Sequence, residues 1–198
     1  MSGFRRESGH YLAVVRRGEA YFYAYLAGVT AAFVRGEVGL DGFGWADLKA
    51  IKAKLEPPAI LDDPAAAAEF RRLAGPEIAV TRSTALETLG EMWRVGSFAP
   101  ADGTSPTEHD AADFVPLRLC AKDLTAALQA LSTMRVVFGT ALGVETDTDS
   151  EELYQEIVDL TNSRSGDVRP EEISPREFWG GVFLDLGMIQ ESLLEAAT

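Results

Sequence analysis

The sequence has few of the residues on which most small catalytic and metal sites depend. It contains one cysteine and two histidines among 198 residues. A single cysteine excludes an intrachain disulfide and any Cys-x-x-Cys metal or redox pair. His10 and His109 have no zinc-ligand spacing, and the chain has neither a Gly-x-Ser-x-Gly elbow nor a glycine-rich phosphate loop. We therefore expect no metal site, no cofactor and no enzymatic activity.

Long apolar runs are also lacking. The uncharged stretch from Ala20 to Val34 spans 15 residues, which is short of the roughly 20 that cross a bilayer. The N-terminus has no apolar core segment followed by a small-residue cleavage site, so we expect no secretion signal. These features predict a cytoplasmic protein without a membrane segment.

Basic residues are scarce, and they are unevenly placed. Lys and Arg total 18 against 31 Asp and Glu, a net charge of -13, which argues against broad, nonspecific nucleic-acid binding. Residues 1–17 nevertheless hold four arginines and one glutamate, whereas residues 144–198 hold fourteen acids and three arginines. This asymmetry can steer a charged partner, or it can serve solubility alone.

The hydrophobic pattern indicates a mainly α fold, a single helical domain over residues 1–198 with a small N-terminal β-hairpin. The hairpin covers residues 4–15 and turns at Ser8-Gly9, because glycine tolerates the positive φ of such turns. Helical periodicity is present over 18–34, 45–55, 65–73, 121–142, 151–161 and 176–196, with a further helix beginning at Pro76. Residues 97 to about 113 are expected to form a flexible loop. We expect helices 121–142 and 176–196 to pack together at the centre.

Four arginines flank the hairpin: Arg5, Arg6, Arg16 and Arg17. Charged residues commonly protect an exposed strand edge from pairing with other chains. The same residues could instead contact phosphates or an acidic partner. The arginines are therefore candidates for partner or DNA contact.

The helix predicted over residues 18–34 is apolar on more than one side. Phe22 begins the predicted inward face, and Tyr21 and Tyr25 widen it. A helix this apolar packs on two sides of one chain or on a second chain. Tyr21, Phe22 and Tyr25 are therefore the candidate interface of a homodimer.

Cys120 is the redox candidate. It lies beside an apolar helix, where most cysteines are inert core residues. Nearby basic residues or a helix N-terminus would instead make the thiol reactive. A lone thiol can form a sulfenic acid or an intermolecular disulfide.

Arg135 falls on or beside the apolar face of the predicted helix 121–142. A buried arginine needs a partner, because an unpaired buried charge is costly. We expect a structural role for Arg135, with Asp185 or Glu191 as its partner.

The acidic segment from Glu145 to Glu156 resembles a calcium loop in its spacing. The first loop position is normally Asp, and the sixth, here Ser150, normally requires Gly. We interpret the segment as a solvated acidic loop.

Segments of the chain resemble the actinobacterial oxidative stress regulator family, which was long labelled as a domain of unknown function. The resemblance lies in residues 62–73, 131–143 and 190–196, and in Phe4-Arg-Arg followed by Gly9-His-Tyr and Gly18-Glu-Ala. It implies a helical transcription regulator that contacts RNA polymerase or an alternative sigma factor and controls redox or cysteine-biosynthesis genes. An intramolecular disulfide switch cannot be carried over, because Cys120 is the only cysteine.

Two alternatives remain open beside this function. The first is direct binding of promoter DNA through the arginine-flanked hairpin. The second, less favoured, is an enzyme with an unrecognised acidic site.

Overall fold

A computed structural model of the protein describes residues 3–39, 47–56, 63–98, 114–163 and 172–198. It confirms the predicted mainly α fold. In chain order the elements are β1 (Arg5–Glu7), β2 (His10–Arg16), α1 (Arg17–Val34), α2 (Leu48–Leu55), α3 (Pro64–Phe98), β3 (Phe114–Cys120), a 3-10 turn (Ala121–Asp123), α4 (Leu124–Leu142), α5 (Asp147–Ser163) and α6 (Pro175–Ala197). One buried hydrophobic cluster draws residues from the sheet and from all six of these helices.

The hairpin forms where the sequence predicts it. Ser8 and Gly9 have φ values of 47° and 78°, and two successive positive φ angles are typical of a tight two-residue hairpin turn. Strand β3 then pairs antiparallel with β2, from His10 opposite Cys120 to Arg16 opposite Phe114. The hairpin is thus part of a three-stranded sheet with the order β1-β2-β3.

Helices α1 and α3 pack closely because small residues line their contact. A Cβ placed on Gly90 would lie 3.4 Å from the Ala27 Cβ, and the Tyr23 and Trp93 rings are 5.1 Å apart. The buried side of α1 is only partly the predicted one. Leu26 and Phe33 of the predicted face are buried, but so are Tyr23 and Ala27, while Phe22 is only half-buried.

Helix α3 corrects the prediction of two separate helices. It begins at Pro64, one residue before the predicted helix 65–73, and the Asp63 carboxylate accepts the backbone N–H groups of Ala65 and Ala66 at 3.0 Å. It then continues through Pro76 to Phe98. Proline removes one helical hydrogen bond, but the following turns bury a long apolar stripe against α1 and α4, which keeps the helix continuous.

Helices α4 and α6 pack together, as predicted. The rings of Phe138 and Trp179 stack at 5.5 Å, and Gly139 leaves room for the Phe183 ring. Gly143 ends α4 in the left-handed conformation with φ of 77°, which is a common helix stop. The predicted first turn of this helix is instead the 3-10 turn after β3.

Part of the predicted loop over residues 97–113 lies outside the described residues. Residues 97 and 98 belong to the end of α3, and residues 99–113, with His109, are not described. Within the described ranges, no single helix combines the length and the apolar content that a membrane crossing requires.

Candidate functional site

The sheet has one buried face and one open face. Tyr11, Ala13 and Val15 point into the core and are nearly inaccessible. Side chains alternate along a strand, and directly opposite residues share a face. We call the open side the sheet face; it carries Arg5, Glu7, His10, Leu12, Val14, Arg16, Phe114, Pro116, Arg118 and Cys120.

The predicted arginines divide between this face and its surroundings. Arg5 and Arg16 lie on the sheet face, whereas Arg6 pairs with the buried Tyr11 and therefore lies on the opposite side. Arg17 is the first residue of α1. The sequence reasoning missed Arg118, which reaches the sheet face from β3, although the alternation of residues 114–120 is visible in the sequence.

The sheet face is a basic and partly apolar surface on an acidic molecule. The Arg16 guanidinium lies 6.0 Å from the centre of the Phe114 ring, and Arg118 Nη2 lies 3.3 Å from His10 Nδ1. Arg5 Nε is 3.7 Å from the Glu7 carboxylate. Three arginines against one glutamate give this face a local charge opposite to the -13 of the chain, and such a surface attracts acidic partners.

Cys120 ends β3 and lies on the same face. It is half-buried, and its neighbour across the strand pair is His10. The backbone N–H of Ala121 donates to the Gly9 carbonyl at 3.0 Å, which fixes this end of the sheet. The position places the thiol beside the arginine surface.

The three aromatic residues proposed for a dimer interface are not equivalent. Tyr21 and Tyr25 are each 64% exposed. Phe22 packs within the chain, with its ring 5.8 Å from Phe178 and 5.3 Å from Tyr23. Of the three, Tyr21 and Tyr25 therefore expose most of their side chains for contact with a second molecule.

Arg135 has a structural position, but its partners are not the predicted ones. Its Nη1 donates to Gln190 Oε1 at 3.1 Å, and its guanidinium lies 5.4 Å from the centre of the Phe183 ring. The carboxylate of Asp185 instead accepts from the Tyr23 hydroxyl. The expectation that Asp185 or Glu191 pairs with Arg135 is therefore wrong, because a glutamine and an aromatic face occupy its surroundings.

Asp185 belongs to an acidic cavity of about 390 Å³ between α1, α3 and α6. The Tyr23 hydroxyl donates to Asp185 Oδ2 at 3.0 Å. Burial raises the pKa of Asp185, although the hydrogen bond from Tyr23 opposes this shift. Burial and the charge of Asp185 raise the pKa of Tyr23 far above its usual value, so the phenol remains a donor. An enzyme with an acidic site, the least favoured alternative, would be placed here.

In the acidic segment that resembles a calcium loop, the carboxylate of Asp149 accepts hydrogen bonds from the backbone of the same segment. Asp149 accepts the backbone N–H groups of Glu145 at 2.8 Å and Thr146 at 2.7 Å. These hydrogen bonds lower the pKa of Asp149 and begin α5. In the part of the chain that the structure describes, no three His, Cys, Asp or Glu side chains are grouped to hold a metal ion.

The protein is thus mainly helical, with one small sheet whose open face is basic. The chain belongs to the family described as Domain of unknown function (DUF2017), whose model matches residues 1–197. No curated protein and no solved structure matches it.

Proposed function

We propose that this protein is a cytoplasmic transcription regulator that acts by contact with RNA polymerase or an alternative sigma factor. The proposal extends the resemblance to actinobacterial oxidative stress regulators, which implies control of redox or cysteine-biosynthesis genes. The observation that supports it best is the sheet face, where arginines and an exposed aromatic ring lie together on an acidic molecule.

The chemistry of the sheet face suits a protein partner with an acidic patch. Arginine and aromatic side chains are enriched among the residues that dominate protein interfaces. Phe114 and Val14 are each 43% exposed, which offers apolar area beside the charges. Arg16 lies over Phe114 in a cation–π arrangement that favours one orientation of the guanidinium. Opposite charges across such an interface mainly raise the association rate and the specificity.

The direct test is affinity purification of the full chain from a cell extract, with the bound proteins identified by mass spectrometry. The test variant replaces Arg16 and Arg118 by Ala, and the control replaces Arg72 and Arg94, which are well exposed on α3, by Ala. We expect the wild type and the control to retain a sigma factor or a polymerase subunit, and the test variant to lose it. Recovery of neither class by the wild type would contradict the proposal.

Direct DNA binding is the second candidate, because the same face presents Arg5, Arg16 and Arg118 to solvent. It predicts that affinity for duplex DNA falls steeply with salt and falls again when Arg5 and Arg16 become Ala. A gel-shift titration at two salt concentrations measures both. If no DNA shift occurs at low salt while the affinity purification still retains a polymerase subunit, direct DNA binding is contradicted and protein contact remains the proposed function.

Redox sensing in this proposal depends on Cys120. Its half-buried position on the sheet face makes a sulfenic acid, or a disulfide with a second molecule, the available oxidation product. We expect iodoacetamide to label Cys120 in the folded protein, and Cys120→Ser to abolish labelling without changing the circular dichroism spectrum. A thiol that reacts only after unfolding would remove Cys120 from the mechanism.

A homodimer through α1 completes the proposal. Tyr21 and Tyr25, one helical turn apart, present the exposed aromatic area. We expect Tyr21→Ser combined with Tyr25→Ser to shift the protein toward its 21.4 kDa monomer in sedimentation velocity experiments. Tyr154→Ser on α5, another exposed tyrosine, is the matched control. A wild type that sediments as a monomer at high concentration would contradict the dimer.

A further inference from the structure

A second cavity lies at the far end of α1 from the sheet face. It has a volume of about 310 Å³ and is enclosed by the end of α1, by α2 and by the middle of α3. Phe33, Leu55 and Ile78 are among its apolar residues. The volume is at the lower end of the range of small-molecule sites. We call it the basic cavity, because four of its lining residues are cationic: Arg35, Lys52, Arg71 and Arg82.

Two of these cations are already neutralised. Arg35 donates two hydrogen bonds to the Glu37 carboxylate at 2.7 and 2.9 Å and also contacts Glu87. Arg71 Nε lies 3.5 Å from the carboxylate of Glu56, the one acidic residue among the described residues that line the cavity. These groups hold the rim together, and two arginines against three carboxylates leave them with a formal charge of -1.

Lys52 and Arg82 are different, since neither has a carboxylate partner among the described residues. Lys52 Nζ lies 5.8 Å from the centre of the Phe33 ring. Arg82 Nη1 donates to the Leu55 carbonyl at the end of α2. Burial lowers the pKa of Arg82, as expected for a guanidinium that loses water without gaining an acid.

Arg82, which is partly desolvated, and Lys52, which is exposed, lie beside apolar walls and favour one kind of ligand. A partly buried charge without a counter-charge is unfavourable, and an anion that hydrogen bonds to it removes that cost. The apolar walls would cover a hydrocarbon or aromatic body, while Lys52 and Arg82 bind the charged end. A ligand that is anionic throughout would gain nothing from Phe33, Leu55 or Ile78.

We propose that the basic cavity is a binding site for a small organic anion, a phosphate monoester with an apolar body, held by Lys52 and Arg82. Arginine binds phosphate through two or more N–H groups in a fixed fork, and lysine acts as a compact charge. Together they match a group that carries between one and two negative charges near neutral pH.

Phenyl phosphate is a suitable probe, with phenol and inorganic phosphate as its two halves. Isothermal titration calorimetry on the full chain, at constant ionic strength, measures all three. We expect phenyl phosphate to bind with one site per chain and about tenfold more tightly than either half, because each half lacks one class of contact.

Matched variants test the assigned residues. We expect Lys52→Gln and Arg82→Gln each to weaken binding by about tenfold, which is the loss of one charge-assisted hydrogen bond. Lys49→Gln, an exposed position on the same helix that does not line the cavity, should bind as the wild type does. Lys52→Arg keeps the charge and should recover most of the affinity, whereas Arg82→Lys keeps the charge but loses the guanidinium fork and should recover only part of it. This recovery separates ligand binding from a folding defect in the Gln variants.

Three results would overturn the inference. They are no saturable heat with phenyl phosphate, equal affinity for inorganic phosphate and phenyl phosphate, and equal loss in Lys49→Gln and Lys52→Gln. None of them bears on the sheet face, since the variants that test partner binding lie on the sheet, at the opposite end of α1. The two proposals can therefore fail independently.

Discussion

Gly139 is a single residue on which the contact between α4 and α6 depends. A Cβ at this position would lie 3.0 Å from Phe183 Cε2, and the buried Phe183 ring has no flexible end that could move aside. We expect Gly139→Ala to lower the free energy of unfolding by about 1–2 kcal/mol, as overpacking of a core does. Urea denaturation followed by circular dichroism measures the change.

Gly181 is the matched control for this substitution. A Cβ there meets no atom within 4 Å, so Gly181→Ala in α6 should raise the free energy of unfolding by about 0.5–1 kcal/mol through helix propensity alone. Equal effects of the two substitutions would show that Gly139 is not required for the contact.

Asp185 gives the protein a specific dependence on pH. Because burial raises its pKa above 3.8 in the folded state, the folded protein binds this proton more tightly than the unfolded chain does. The ionised carboxylate of Asp185 therefore lowers the free energy of unfolding at neutral pH. This loss disappears as the pH falls below the pKa that Asp185 has in the unfolded chain. We expect the wild type to gain stability relative to Asp185→Asn as the pH is lowered from neutral to about 4.

Thermal unfolding of both proteins across this range measures the difference. Tyr23→Phe is the companion variant. It removes the donor that lowers the pKa of Asp185. We therefore expect Tyr23→Phe to lower the free energy of unfolding by about 1 kcal/mol at neutral pH and to widen the pH range over which stability changes. If the stabilities of the wild type and of Asp185→Asn changed in parallel with pH, the raised pKa of Asp185 would be contradicted.

Individual residues were predictable from sequence where the rule is local. Ser8-Gly9 turns the hairpin, Asp63 caps α3 and Gly143 ends α4, because each depends only on neighbours in the chain. The partners of Arg135 and Asp185 were not predictable, since they come from other helices and depend on how those helices are rotated.

Helix α3 shows how packing overrides a local signal. The local sequence predicts a helix start at Pro76, yet Pro76 lies inside a 35-residue helix and is exposed to solvent. We expect Pro76→Ala to raise the free energy of unfolding by about 1–3 kcal/mol, because it restores the N–H that donates to the Arg72 carbonyl.

Pro64→Ala is the control, since proline is well tolerated at the first position of a helix, where its N–H has no helical partner. We expect it to change stability by less than about 0.5 kcal/mol. Chemical denaturation of the two variants gives the comparison. A loss of stability in Pro76→Ala would contradict the expectation that the hydrogen bond missing at Pro76 weakens α3.

Strand β3 depends on a pairing partner that is distant in the sequence. The sequence after Pro116 predicts only a short extended segment, Leu117–Leu119, whereas the strand covers Phe114–Cys120. The pairing partner β2 is about one hundred residues earlier, and nothing in the local sequence specifies it. The basic sheet face could therefore be predicted only in the half that the hairpin supplies.

The charge of the whole molecule is not uniform. The net charge is -13, yet the sheet face and the basic cavity are both cationic. Self-repulsion among the acidic residues opposes compaction, and salt screens it. We expect the thermal midpoint to rise as sodium chloride is increased from about 10 to about 200 mM.

The variant Arg5→Ala with Arg16→Ala sharpens this prediction. Removing two positive charges increases the net negative charge, so the variant should show a steeper rise with salt than the wild type. Sodium sulfate at equal ionic strength tests whether the effect is screening rather than specific anion binding. A falling midpoint would show that attractive ion pairs outweigh the repulsion.

The pairing of β3 with β2 also determines when the sheet face can exist. Closing a loop of about one hundred residues costs about 4 kcal/mol of chain entropy. The packing of the intervening helices α1 and α3 against each other and against β3 helps to offset this cost. A two-stranded hairpin on its own is marginally stable at best. During synthesis on the ribosome, the arginines of β1 and β2 therefore emerge early but gain their surface only after residue 120 is made. We expect nascent or truncated chains that end before Phe114 to be unable to engage the partner of the finished protein.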